Sequence, residues 1–214
     1  MFCGRKKELG VLTKLYESGK FEFAVVYGRR RVGKTMLLNE FCKGKKAVFF
    51  TGIEASVLEN LSQLSKAVLE HSDAQSSSFD SFENILLYVD SLASNERIVF
   101  VIDEYPYIAK CEPSLPSLLQ KHIDHAWKDS KLMLILCGSS MSFMENQVLG
   151  YKSPLYGRKT SQLKIQPFNF LKVANYVGVS KPTNRPCFME RCGGFLNTIR
   201  ILTPRKALMT MLLT

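Results

Sequence analysis

The fold of this chain is decided by the stretch Gly28-Arg29-Arg30-Arg31-Val32-Gly33-Lys34-Thr35. The octet has the G-x-x-x-x-G-K-[ST] spacing of a phosphate-binding loop. A strand-like apolar run over 21–27 precedes it, and a helix-like run over 36–42 follows it. Because the motif requires this strand, loop and helix order, the sequence predicts a P-loop NTPase.

The loop residues have predicted parts in binding nucleotide phosphates. Glycines let the backbone wrap an anion with its N–H groups, and the helix N-terminus adds a favourable dipole. We expect Lys34 to reach the β- and γ-phosphates and the Thr35 hydroxyl to ligate Mg²⁺. The predicted nucleotide-binding set also contains Gly28, Arg29, Arg30, Arg31, Val32, Gly33 and Met36.

A second motif closes the apolar run over 97–102 with two carboxylates, Asp103 and Glu104. An unbroken apolar run suits a strand buried on both faces of a parallel sheet, and such sheets bind ligands at the carboxyl ends of their strands. Asp103 is expected to hold Mg²⁺ through its water shell, and Glu104 to orient or deprotonate the attacking water. Two adjacent acids are also common at ordinary strand exits.

A third apolar run, over 132–137, ends in Gly138-Ser139-Ser140. In P-loop ATPases the strand next to the carboxylate strand carries a polar residue that senses the γ-phosphate. Ser139 or Ser140 is placed for that role, and an ordinary Gly-Ser turn explains the same residues.

Strand-like and helix-like segments alternate along the chain, which predicts an α/β fold with a parallel β-sheet flanked by α-helices. Strands are predicted over 21–27, 46–51, 97–102, 132–137 and 161–165. Helices are predicted over 5–17, 34–43, 55–71, 79–93, 115–128 and 168–177, with a polar loop over 72–78.

Composition excludes several classes of protein. The chain has 214 residues and 46% hydrophobic content, enough for a substantial core. It has no apolar stretch approaching the roughly 18 residues of a membrane span. The start is too charged for a signal peptide, and the six cysteines form no C-x-x-C pair. We therefore expect a cytoplasmic protein with reduced thiols and no membrane association.

Five ordered elements resemble the archaeal-type ATPase family, a branch of the AAA+/STAND P-loop ATPases. They are Phe2-Cys3-Gly4-Arg5-Lys6-Lys7-Glu8-Leu9, Tyr27 with the loop that follows it, Ile102-Asp103-Glu104, Gly138-Ser139-Ser140 and Pro154-Leu155-Tyr156-Gly157-Arg158. The match extends to about residue 194. The resemblance implies an AAA+/ASCE-type sheet and ATP or ADP as the nucleotide. It also implies that Gly4 and Arg5 close the adenine side, although a capped first helix with an exposed Arg5 is the alternative.

The same resemblance draws attention to Arg158, which precedes a predicted strand and a Pro-Phe turn as it does in the family. A guanidinium near the γ-phosphate would stabilise transition-state charge, as an arginine finger does. A structural pairing of Arg158 with an acid is the alternative.

The C-terminal part departs from the family. We expect an ATPase core over 1–166 and the start of a small helical lid over 167–194. After Gly194 the family continues with a G-G-[IV]-P-x-Y pattern, which residues 195–214 lack. Codons that are permitted for residues 195–214 can be chosen so that, read one base earlier, they translate as IPKYYKNIDPEKSFDDNVIN. That translation restores the family pattern. This suggests the hypothesis that a frameshift made 195–214 an out-of-frame tail, and incompatible third-position bases in the gene would exclude it.

The function favoured by these residues is an ATP-binding and Mg²⁺-dependent ATP-hydrolysing module that switches an attached or partner domain. A DNA-associated protein is the alternative, since the formal net charge is +10 and basic surfaces attract phosphate backbones. Arg29 to Arg31 would then contact nucleic acid, or they tune nucleotide binding, or they face solvent. Two further alternatives are a truncated fragment that binds nucleotide weakly and a small-molecule kinase. An oligomeric or effector partner is compatible with each of these functions.

Overall fold

Five parallel strands form one sheet in the computed structural model, which describes residues 4–70 and 78–167. The strands are β1 (Glu22–Tyr27), β2 (Ala47–Thr51), β3 (Ile98–Asp103), β4 (Leu132–Gly138) and β5 (Ser161–Lys164). Their order across the sheet is β2-β3-β4-β1-β5. Strand β4 therefore lies between the strand that leads into the loop and the strand that ends in the two acids.

Helices occupy most of the connections between the strands. They are α1 (Lys6–Glu17), α2 (Lys34–Cys42), α3 (Val57–Leu69), α4 (Phe82–Asn95), α5 (Tyr105–Cys111), α6 (Leu115–His125) and α7 (Met141–Phe143). A 3₁₀ turn over Trp127–Asp129 follows α6, and a π-helical turn over Met144–Val148 continues α7. None of the helices in the two described ranges is long and apolar enough to cross a membrane.

The sheet is covered on both faces. Alternate side chains of the central strands enter two apolar clusters, as the period of a strand requires. On β3, Phe100 packs in the cluster that contains Leu64 of α3, while Val99 packs in the cluster that contains Leu12 of α1 and Leu37 of α2. This arrangement confirms the predicted parallel sheet flanked by α-helices.

The predicted strands agree with the structure to within one residue at each end. Five predicted helices are also present, although α4 begins three residues later than expected. Helices α5 and α7 were not predicted, because both are too short to show helical periodicity. Helix α5 has seven residues, one of them a proline, and α7 has three. The predicted helix over 168–177, most of the 72–78 loop, most of the lid and the 195–214 tail lie outside the described residues.

Gly138 ends β4 at a crowded position. A Cβ there would lie 2.7 Å from Met144 Sδ and 2.8 Å from Pro106 Cδ. Because these neighbours belong to the packed core, Gly138→Ala is expected to lower the free energy of unfolding by about 1–3 kcal/mol. Urea denaturation measures the change. In the matched control, Gly10→Ala in α1, nothing lies within 4 Å of the new Cβ, and alanine should add about 0.5–1 kcal/mol. Equal unfolding curves for the two variants would show that this packing argument is wrong.

Candidate functional site

The candidate site lies at the carboxyl ends of β1, β3 and β4. Tyr27 of β1 pairs with Gly138 of β4, and Ile102 of β3 pairs with Leu136, so the three strand ends meet at one edge. A cleft of about 500 Å³ opens there. Its lining consists of Arg30, Arg31, Gly33, Lys34, Thr35, Met36, Glu104 and Tyr107.

Two glycines determine the backbone path of the loop. A Cβ on Gly28 would lie 2.3 Å from the carbonyl oxygen of Ile165, so no larger residue fits where the chain leaves β1. Gly33 is the N-cap of α2 and has φ 88°, a left-handed conformation that favours glycine. Together they bring the loop backbone around to the N-terminus of α2, where unpaired N–H groups attract anions.

Lys34 lies inside the loop. Its side chain is buried, and Nζ donates to the carbonyl oxygens of Gly28 at 3.1 Å and Arg29 at 3.0 Å. Both partners are neutral, so the ammonium keeps its charge for an anion in the cleft. Lys34 thus places a positive charge at the cleft, and its contact with a phosphate stays a prediction.

Thr35 and Asp103 join the loop to the acid strand. The Thr35 hydroxyl donates to Asp103 Oδ2 at 2.6 Å, and Asp103 is 1% exposed. A hydroxyl and a carboxylate oxygen are both hard donors of the kind that Mg²⁺ prefers. Their proximity therefore fits a magnesium site that uses oxygen ligands from both elements.

Glu104 is the N-cap of α5 and has an unusual backbone conformation. It has φ 49° and ψ 39°, which costs a non-glycine residue about 1–3 kcal/mol. Its N–H donates to Asp103 Oδ1 at 2.9 Å, and its carboxylate accepts from the N–H and O–H of Ser139 at 3.2 and 2.9 Å. The two bonds from Ser139 orient the carboxylate at the cleft.

Cys137 lies just before Gly138 at the inner end of this cluster. Burial raises the pKa of its thiol well above the ordinary value, and the neighbouring Asp103 carboxylate raises it further. The thiol is therefore neutral at physiological pH and adds no charge beside the two carboxylates.

Most of the predicted site residues lie at the cleft or directly against it. The ones that line it are Arg30, Arg31, Gly33, Lys34, Thr35, Met36 and Glu104. Others lie behind this lining as backbone or as partners of lining residues, namely Gly28, Arg29, Val32, Asp103 and Ser139. Ser139 therefore contacts the predicted catalytic carboxylate, and its role as a γ-phosphate sensor stays a prediction. Gly4 is exposed with φ 83° and does not line the cleft.

Arg5 is 3% exposed, so the alternative of a capped first helix with an exposed Arg5 is wrong. Its guanidinium donates to the carbonyl oxygens of Val32 at 2.9 Å and Gln166 at 2.6 Å, and it pairs with Glu8. The chain that follows β5 returns beside the loop, and Arg5 fills the space between them. The adenine contact stays a prediction.

Arg158 pairs with an acid outside the cleft. Its Nε and Nη2 atoms donate to the two carboxylate oxygens of Asp124, each at 2.7 Å. Hydrogen bonding to the guanidinium lowers the pKa of Asp124. This is the structural pairing that the sequence left open, and the arginine-finger role stays a prediction.

Tyr107 is the lining residue that sequence reasoning missed. Its hydroxyl accepts a hydrogen bond from the Arg30 guanidinium, and both residues line the cleft. No local pattern marks Tyr107, because its place at the cleft follows from the turn in which its N–H donates to the carbonyl oxygen of Glu104 at 3.0 Å.

Comparison with known proteins places the chain among ATPase domains. A family described as an ATPase domain predominantly from Archaea matches residues 2–179. An uncharacterized protein of Methanocaldococcus jannaschii is 36% identical over 170 residues, which are 79% of this chain and 37% of that protein. An uncharacterized ATP-binding protein of the same organism is 48% identical over 46 residues, which are 22% of this chain and 78% of that protein. This chain thus spans little more than a third of the first relative.

Solved structures share the fold at low identity. A Walker-type ATPase of Pyrococcus abyssi superposes with a TM-score of 0.65 and 18% identity, over 83% of this chain and 57% of that one. The ORC1 protein of Aeropyrum pernix, in complex with DNA, superposes with a TM-score of 0.58 and 18% identity, over 84% of this chain and 49% of that one. These similarities establish the P-loop ATPase fold.

Proposed function

This chain belongs to the family of ATPase domains found predominantly in Archaea, and we propose that it binds ATP with Mg²⁺ and hydrolyses it. The observation that carries the proposal is the 2.6 Å bond between Thr35 and Asp103. It brings the phosphate-binding loop and the acid strand to one cleft, beside Glu104. A site that only bound an anion would have no need of that second element.

Phosphate binding is assigned to the loop and α2. The N–H groups at the start of α2 and the ammonium of Lys34 face the cleft that the loop encloses. Within the described residues the ammonium donates only to carbonyl oxygens, and no carboxylate pairs with it. Its positive charge is therefore available to attract the β- and γ-phosphates of an incoming nucleotide. Arg30 and Arg31 add positive charge at the mouth.

Magnesium would be held by the Thr35 hydroxyl and, through water, by Asp103. Bound there, the ion would supply positive charge that offsets the negative charge developing during phosphoryl transfer. The protein contributes the position of the two oxygens, which the first turn of α2 and the end of β3 fix independently.

Glu104 is the proposed general base. Its carboxylate accepts a proton from a water whose oxygen attacks the γ-phosphorus, while the bond from that phosphorus to the β,γ-bridging oxygen breaks. Ser139 orients the carboxylate through two hydrogen bonds. ADP and inorganic phosphate are the products.

Thr35→Val tests the metal assignment, because it keeps the shape of the side chain and removes the oxygen. We expect Mg²⁺ to tighten ATP binding to the wild type, and the variant to lose about 10-fold or more of that effect. Isothermal titration calorimetry of ATP with Mg²⁺ and with EDTA measures it. Thr13→Val in α1 is the control and should behave as the wild type. Undiminished dependence on Mg²⁺ in Thr35→Val would exclude Thr35 as a ligand.

The wider role is a switch that acts on an attached or partner domain. Support comes from the first relative. The match covers 37% of that protein, so the remaining 63% (100% minus 37%) has room for a further domain. The nucleic-acid alternative gains no support from the loop arginines. Arg30 and Arg31 line the cleft, which favours contact with a nucleotide over contact with a nucleic-acid backbone.

A further inference from the structure

We propose that Tyr107 is a positioning residue that holds Arg30 over the mouth of the cleft, so that the guanidinium contacts a γ-phosphate and the site selects nucleoside triphosphates over diphosphates. The inference rests on the proposed function and assigns a specificity determinant within it. Arg30 would be the contacting residue, and Tyr107 would act through it.

The first support is the contact itself. The Arg30 guanidinium donates to the Tyr107 hydroxyl, and both residues line the cleft together with Lys34, Thr35 and Glu104. Arg30 is exposed on the loop and Tyr107 is half-buried on α5. The pair therefore connects the phosphate-binding loop to α5, the helix that directly follows the proposed base.

Tyr107 lies in the first turn of α5, which packs tightly against the core. Its N–H donates to the carbonyl oxygen of Glu104 at 3.0 Å, and Tyr105 beside it is 1% exposed. The Pro106 ring packs so closely on Gly138 that no Cβ fits between them. The hydroxyl is thus presented from a backbone that the core holds in place.

The chemistry of the partner also matters. A free arginine side chain loses rotamer entropy when it binds a ligand, and one fixed hydrogen bond removes part of that cost before the ligand arrives. A phenol is neutral, so it orients the guanidinium without cancelling its charge. Arg158 differs, because the Asp124 carboxylate neutralises it. Among the described arginines, Arg30 is therefore better suited than Arg158 to attract an anion in this cleft.

The test compares the affinities of a non-hydrolysable ATP analogue and of ADP, each with Mg²⁺, by calorimetry. Tyr107→Phe removes only the hydroxyl and is expected to weaken analogue binding about 3- to 10-fold, with ADP binding unchanged. Arg30→Gln is expected to weaken analogue binding about 10-fold or more. The double variant should match Arg30→Gln alone, because Tyr107 acts through Arg30.

Tyr151→Phe is the matched control, since its exposed ring lies outside the cleft lining; its affinity ratio should equal that of the wild type. An unchanged ratio in Tyr107→Phe, or a full additional loss in the double variant, would overturn the inference while leaving the proposed function intact. A wild type that binds neither nucleotide would overturn both.

Discussion

Replacing Lys34 with alanine is expected to abolish measurable ATP hydrolysis and to weaken ATP binding by about 100-fold or more. The reason is that Lys34 is the buried cation of the loop, and its ammonium has only carbonyl partners among the described residues. Removing the Lys34 ammonium leaves the nucleotide phosphates without a positive charge that stabilises both their binding and the transition state of phosphoryl transfer. Phosphate release and calorimetric titration measure the two losses.

Lys43→Ala provides the control for this substitution. Lys43 follows the same helix, and its side chain is 70% exposed and pairs with Glu40. Exposed pairs of this kind contribute about 0–1 kcal/mol, so both activity and fold should be retained. Wild-type hydrolysis by Lys34→Ala would mean that the loop does not bind the phosphates.

Glu104→Gln is expected to separate binding from chemistry. The amide has the same shape and can still accept the hydrogen bonds of Ser139, but it cannot take a proton from water. Loss of a general base lowers the rate by about 100- to 10,000-fold. We therefore expect ATP to bind with near wild-type affinity and phosphate release to fall by that factor.

Glu59→Gln is the matched control, since Glu59 is exposed on α3 and its carboxylate contacts Gln63 rather than the site. Its rate should equal the wild-type rate. If Glu104→Gln lost binding and hydrolysis to the same extent, Glu104 would have a structural role and the base would have to be sought elsewhere.

The parts of this account that local sequence could predict are those that backbone chemistry determines. The apolar run ending at Asp103 predicted a strand buried on both faces, and all six residues of β3 are buried. The octet predicted the loop because Gly28 and Gly33 satisfy steric demands that few other residues meet. Such requirements are encoded within a few consecutive positions.

Long-range side-chain pairs could not be predicted in the same way. Arg30 and Tyr107 are 77 residues apart, and Arg158 and Asp124 are 34 apart. Which acid or hydroxyl an arginine meets depends on how helices pack across the sheet, and no local pattern records that. The burial of Arg5 has the same origin, because its partner Gln166 is 161 residues away.

The most direct test of the central claim is single-turnover release of phosphate from ATP by the wild type and Glu104→Gln, each with Mg²⁺ and with EDTA. The account predicts that with Mg²⁺ the wild type releases phosphate about 100-fold or more faster than Glu104→Gln, that EDTA stops release, and that both proteins bind ATP. Release at equal rates by the two proteins, or no release by a wild type that binds ATP with Mg²⁺, would contradict it.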